Sequence, residues 1–194
     1  MKIALFGKIR SGKDTVGKIL IEEHHFRRFA FGDGIGEIIQ TYFPEALTGG
    51  KPRKHYQHIG QQLRVLNPDV WINYLLNKVR SESMSHLQEH HKNGVVAPSF
   101  NVVVTDGRQL NEAKRLKEEG FLIVKVTTDD EIRLERMKAL GDVFSPEDLQ
   151  HETELNVDLI KPDIEIFNNG TLEDLYIQIQ RMIQEQREIK GECC

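Results

Sequence analysis

Gly7-Lys8-Ile9-Arg10-Ser11-Gly12-Lys13-Asp14-Thr15 is the stretch of this chain best suited to chemistry. Four residues separate its two glycines, and a lysine follows the second. Glycines let a backbone approach oxyanions without Cβ clashes. Successive N–H groups at the opening of a helix form a nest with partial positive charge. A G-x4-G-K run between an apolar strand and a helix is the pattern that cradles nucleotide phosphates, with the lysine reaching the β- and γ-phosphates. Gly7, Arg10, Ser11, Gly12, Lys13, Asp14 and Thr15 are therefore the expected nucleotide-binding set, with ATP and Mg²⁺ as cofactors. Asp14 stands where Ser or Thr usually offers a hydroxyl to Mg²⁺. A carboxylate is also a hard oxygen ligand, so Asp14 either joins the metal shell or positions the attacking group. Thr15 still offers a hydroxyl to a phosphate.

A second element is Val102-Val103-Val104-Thr105-Asp106, an apolar run that ends in a carboxylate. In phosphate-loop proteins such an aspartate holds Mg²⁺. Ligands of open α/β sheets lie at the carboxyl ends of the strands, so Asp106 is expected beside Gly7–Lys13. The plainer alternative is that Asp106 turns the chain or caps the next helix. Arg108 follows closely enough to serve the same site. The histidines read as solvated, and His55 and His58 lack the partners of a zinc set.

The elements that must carry these residues alternate between strand and helix, the α/β signature. Strand-like runs are Lys2–Phe6, Phe26–Phe31, Phe100–Thr105, Phe121–Val126 and Asp163–Phe167. Ile35, Ile38, Ile39, Tyr42 and Phe43 follow helical spacing. Tyr56, Ile59, Leu63 and Leu66 mark another helix. Trp71, Tyr74, Leu75 and Val79 mark the next, which fades into the polar stretch 81–94. Gly141 to Pro146 reads as a break. Thr171 caps a closing helix. Right-handed crossovers wind five strands into a parallel sheet with helices on both faces.

Composition bounds the rest. The 194 residues suit one domain, with 39% hydrophobic and 29% charged content. A net charge of −4 argues against binding nucleic-acid polymers or membrane surfaces. No apolar run approaches a membrane span, and the chain opens on a core strand, so no signal peptide is expected. Cys193 and Cys194 are adjacent and cannot staple a fold. A cytoplasmic protein acting on small molecules is the expectation, and its oligomeric state is left open.

Gly12-Lys13-Asp14-Thr15 resembles the loop of bacteriophage-type deoxynucleoside monophosphate kinases, and animal phosphomevalonate kinases show a similar Gly-Lys-Asp. Further segments are similar to the first family. They are Phe31-Gly32-Asp33, His58 to Arg64, Asn67 to Ile72, Thr105-Asp106-Gly107-Arg108 with Asn111-Glu112-Ala113, Thr153-Glu154, and Asp163 to Thr171. Ile9 stands where that family has lysine, and Gly107 where it has a larger apolar residue. The resemblance implies phosphoryl transfer from ATP to a nucleoside monophosphate. It also implies a single kinase domain, a helical substrate-binding insertion over 33–93, and a lid over 129–160.

Two polyphosphate chains meeting head-on need several cations, and arginine is the bidentate clamp. Arg10, Arg108, Arg133 and Arg136 join Lys13 and Asp14 as catalytic candidates. The last two arginines share a helical face, though each could instead pair with acidic neighbours. Arg53, Arg64, Asp33 and Trp71 are the substrate-side candidates. Asp33 would bond a sugar hydroxyl, hold an arginine or cap a helix; Trp71 would stack on a base or fill the core. Asn169 and Gly170 are assigned to the adenine side, and Asp14 and Asp106 to the metal. The alternatives are a kinase of dephospho-coenzyme A or phosphomevalonate, and a non-catalytic ATP-binding regulator. A switch protein needs no second set of arginines.

Overall fold

The computed structural model describes residues 1–140, 152–189 and 191. Its elements are β1 (Lys2–Phe6), α1 (Lys13–His24), β2 (Arg27–Phe29), α2 (Gly32–Tyr42), α3 (Arg53–Leu66) and α4 (Val70–Lys92). Then follow β3 (Val102–Gly107), α5 (Leu110–Glu118), β4 (Leu122–Thr127), α6 (Asp130–Ala139), α7 (Glu152–Leu159), β5 (Ile164–Phe167) and α8 (Leu172–Ile189). All five strands run parallel, in the order β2-β3-β1-β4-β5. The central strand β1 therefore delivers the glycine loop between the ends of β3 and β4.

Strand alternation sorts the core into two layers. Ala4, Phe6, Val102, Val104 and Ile123 face α2, α4 and α5. Ile3, Leu5, Val103, Val124, Val126 and Ile166 face α1 and α8. Apolar residues at every position of β1 beyond Lys2 are what a strand covered on both faces requires. Gly107 has a packing reason: a Cβ there would lie 2.6 Å from the Phe6 ring. A larger side chain at 107 has no space in this sheet.

Two sequence expectations need correction. Helix α4 does not fade after Ser81 but continues to Lys92. His86 lies seven residues beyond Val79, on the same buried face, and is 7% exposed. Its Nδ1 is 3.1 Å from Arg27 Nη2 and its Nε2 is 3.0 Å from the Pro98 carbonyl. Arginine can only donate, so Nδ1 accepts and Nε2–H donates. The histidines are not uniformly solvated, since His24 is buried as well. Burial lowers the His24 pKa, with Arg187 adding to the effect. The expected break at Gly141–Pro146 lies outside the described residues, as do residues 141–151 of the lid expected over 129–160.

Candidate active site

The turn between β1 and α1 is built to receive anions. Arg10 has φ +60° and Gly12 φ +96°, so the chain passes twice through the left-handed region before the helix starts. A Cβ on Gly7 would lie 2.6 Å from both the Val126 carbonyl and Ser11 Oγ. One on Gly12 would lie 2.1 Å from Asn168 Nδ2. Both glycines are thus required by close approach. Lys13 is 7% exposed, and its Nζ donates to the Gly7 carbonyl at 2.7 Å and the Lys8 carbonyl at 3.4 Å. Ser11 Oγ is buried and has no hydrogen-bond partner among the described residues. A buried hydroxyl of that kind, beside a lysine and the N-terminus of α1, suits a phosphate oxygen.

The loop is braced from behind by residues at the ends of β4 and β5. Thr128 Oγ and Asn168 Nδ2 both donate to the Ser11 carbonyl at 2.9 Å. Arg133 Nε donates to the Ile9 carbonyl at 2.9 Å, and its Nη1 reaches Asp130 at 2.5 Å. Arg136 Nη2 donates to the Asn168 carbonyl at 2.9 Å. Lys8 pairs with Asp158 of α7 at 2.8 Å. The shared helical face expected for Arg133 and Arg136 therefore brings both to the phosphate loop and its support. Asn169 Oδ1 accepts from the Asp129 N–H at 2.9 Å, which joins the β5 end to the start of α6. Gly170 is packed against Asp174, 2.5 Å from where its Cβ would stand.

On the other side of β1, Asp106 links the sheet to α2. Its Oδ1 accepts from Phe31 N–H and its Oδ2 from Gly32 N–H, both at 2.9 Å. Burial pushes its carboxyl above the ordinary range, against the pull of those two N–H groups. Asp33, one residue further, accepts both ends of a contact from Arg28 Nη1 at 3.1 and 3.2 Å. Holding an arginine is one of the three roles expected of it. Asp14 is exposed in the first turn of α1. It lines a cleft of about 300 Å³ with Lys18, Arg28 and Thr105. Thr15 follows it, half-buried. Among the described residues no group of three His, Cys, Asp or Glu side chains could hold a metal alone.

The expected substrate side is more varied. Arg53 is exposed at the first turn of α3. Arg64, near the end of the same helix, reaches Glu112 Oε1 at 3.3 Å. Trp71 is 3% exposed, and its Nε1 donates to the Gly60 carbonyl at 3.0 Å. Its indole belongs to the core, so stacking on a substrate base is replaced by a structural role: it pins α3 to α4. A wider cleft, about 730 Å³, lies along α3 beside Phe43, lined by Lys54, His55, His58 and Gln62, and touches no loop residue.

Three contributors are not singled out by the sequence. Thr128 and Asn168 brace the loop through main-chain carbonyls, a register that only the folded sheet supplies. Glu112 has one readable signal, its place at the third position of α5 after Gln109. Its Oε2 accepts the N–H groups of Arg108 and Gln109, each at 2.9 Å, in a capping box. Desolvation pushes Glu112 up to about 7; the two N–H groups and Arg64 oppose this and Asp106 adds to it. Arg108 itself sits in that turn.

A parallel sheet in this order, with a glycine loop feeding a helix from its central strand, is the architecture of phosphate-loop kinases. A family model described as an AAA domain matches residues 3–153, and the chain belongs to that family. The shikimate kinase of Aquifex aeolicus is similar in structure at 17% identity, over 96% of this chain and 98% of that one, with a TM-score of 0.52. The shikimate kinase of Acinetobacter baumannii, solved with shikimate, matches at 18% identity over 97% and 94%, with a TM-score of 0.51. A sugar kinase from Janibacter matches at 17% identity over 95% and 92%, with a TM-score of 0.50. These likenesses establish the fold. No curated protein matches the chain in sequence.

Proposed function

We propose that the protein transfers the γ-phosphoryl group of ATP to a phosphorylated small molecule, a ribo- or deoxynucleoside monophosphate, giving ADP and the diphosphate. The observation that carries this reading is the pairing of Arg64 with Glu112. It ties a cation of the helical segment α2–α4 to the turn after Asp106, at the strand edge that also bears Lys13. A second cation there suits an acceptor that is itself anionic. The sequence resemblance to monophosphate kinases points the same way.

In this reading Lys13 exchanges the Gly7 and Lys8 carbonyls for phosphate oxygens, and Ser11 Oγ gains the partner it lacks. Arg10 and Arg108 add positive charge where the transferred group becomes most anionic, and Arg53 lies on the acceptor side with Arg64. Arg133 and Arg136 act by holding the loop in shape. Asp14 and Asp106 would hold Mg²⁺, whose contribution is to neutralise the phosphates. Phosphoryl transfer is mainly positioning and charge stabilisation, which is what these residues supply.

The test is a coupled ADP-release assay over ribo- and deoxynucleoside monophosphates, dephospho-coenzyme A, phosphomevalonate and shikimate. Acceleration by a nucleoside monophosphate is expected. Acceleration only by dephospho-coenzyme A or phosphomevalonate would move the protein to the alternative acceptor class. No acceleration by any of them, with ATP still bound, would leave a nucleotide-binding regulator.

A further inference from the structure

We propose that Glu112 is a positioning residue that sets the Arg64 guanidinium for the phosphate of the acceptor; this rests on the reading of the acceptor as phosphorylated. Glu112 is 3% exposed and divides its two oxygens between different tasks. Oε2 closes the capping box with the N–H groups of Arg108 and Gln109. Oε1 takes Arg64 Nη2 at 3.3 Å. Capping alone does not need a charge, since glutamine serves the same position. A carboxylate buried here is disfavoured by its surroundings, as its raised pKa of about 7 shows. Its distinguishing property over glutamine is the charge it presents to Arg64.

The surroundings of Arg64 are arranged to match. Gly60, one turn earlier on α3, lies beside the guanidinium: a Cβ there would stand in ordinary contact, 3.6 Å, with Arg64 Nη1 and closer, 3.1 Å, to Ile35. The Gly60 carbonyl is itself fixed by Trp71. Asn111, next to Glu112, donates to the Pro68 carbonyl at 3.3 Å and to Asp69 Oδ1 at 3.0 Å. The first turn of α5 thus grips both the end of α3 and the start of α4. Guanidinium carries five donors in a fixed fork. With Nη2 on Glu112, the fork's orientation is set before an anion arrives, which lowers the ordering cost of binding it.

The experiment compares wild type, Glu112→Gln, Arg64→Ala and the double variant, using the monophosphate that wild type turns over fastest. ATP affinity and thermal melting are measured separately. Glu112→Gln is expected to raise the KM for the monophosphate roughly 10-fold or more, the scale of a lost charged hydrogen bond. The KM for ATP should hold and the melting temperature should not fall, since a neutral glutamine escapes the cost of burying a charge. The double variant should match Arg64→Ala in acceptor KM, because Glu112 acts through Arg64. Equal shifts in both substrates' KM, or effects that add in the double variant, would overturn the inference alone. Wild-type turnover with unphosphorylated acceptors only would overturn the proposed function and this inference together.

Discussion

Replacing Gly12 by alanine tests whether the phosphate loop is held as described. The position has φ +96°, and the left-handed region costs an alanine about 1–2 kcal/mol. The new Cβ would stand 2.1 Å from Asn168 Nδ2, so that amide must swing away from the Ser11 carbonyl. Losing a buried bond costs about 1 kcal/mol when the acceptor keeps another donor, and here Thr128 remains. Gly12→Ala should therefore lose about 2–3 kcal/mol of stability. Asn168→Ala alone should lose about 1 kcal/mol. Asn168 Cβ is 3.9 Å from the position of the new methyl, ordinary contact, so the double variant relieves the clash. It should be no less stable than Gly12→Ala, falling short of the summed losses by about 1 kcal/mol. Urea unfolding of the four proteins measures this. A Gly12→Ala protein within about 0.5 kcal/mol of wild type, or strict additivity, would refute the bracing of the loop by Asn168.

Lys13→Ala should lower turnover by ~100-fold or more while the protein stays folded, by analogy with losing one transition-state donor; near-normal steady-state turnover would contradict its role. Glu112, raised from 4.5 to about 7, binds its proton more tightly in the folded state. Its favourable contribution is full below about pH 4.5 and is lost as pH rises through 7, a change of about 3 kcal/mol. Glu112→Gln should remove that slope from urea unfolding curves taken between pH 5 and 8, and an unchanged slope would assign it elsewhere. Trp71 is the sole tryptophan; iodide should barely quench its fluorescence, and strong quenching would place the indole in an open cleft.

The loop and the sheet are legible in the sequence because their signals are local. Glycine spacing announces a close approach, and unbroken apolar runs such as Val102-Val103-Val104 announce a strand covered on both faces. What escapes is non-local. Asn168 reads as part of a turn, yet its amide lies against a loop 157 residues earlier. Trp71 sits on an amphipathic helix, where core and base-stacking roles share one spacing, and only the Gly60 carbonyl separates them. His86 keeps the helical period of Val79, but its polarity masks its place on the buried face. Asp106 falls at the carboxyl end of its strand as the apolar run predicts, while its bonds to Phe31 and Gly32 reach a segment 75 and 74 residues earlier.

The bracing of the loop by Thr128, Arg133 and Asn168 also orders events during synthesis. The glycine loop is complete within the first fifteen residues, but its supports lie between positions 128 and 168. A nascent chain lacking β5 has every atom of the loop and no Asn168 to set the Ser11 carbonyl. On the function proposed above, the ability to grip a nucleotide is among the last properties acquired, and a bound nucleotide would stabilise only chains whose final strand has docked.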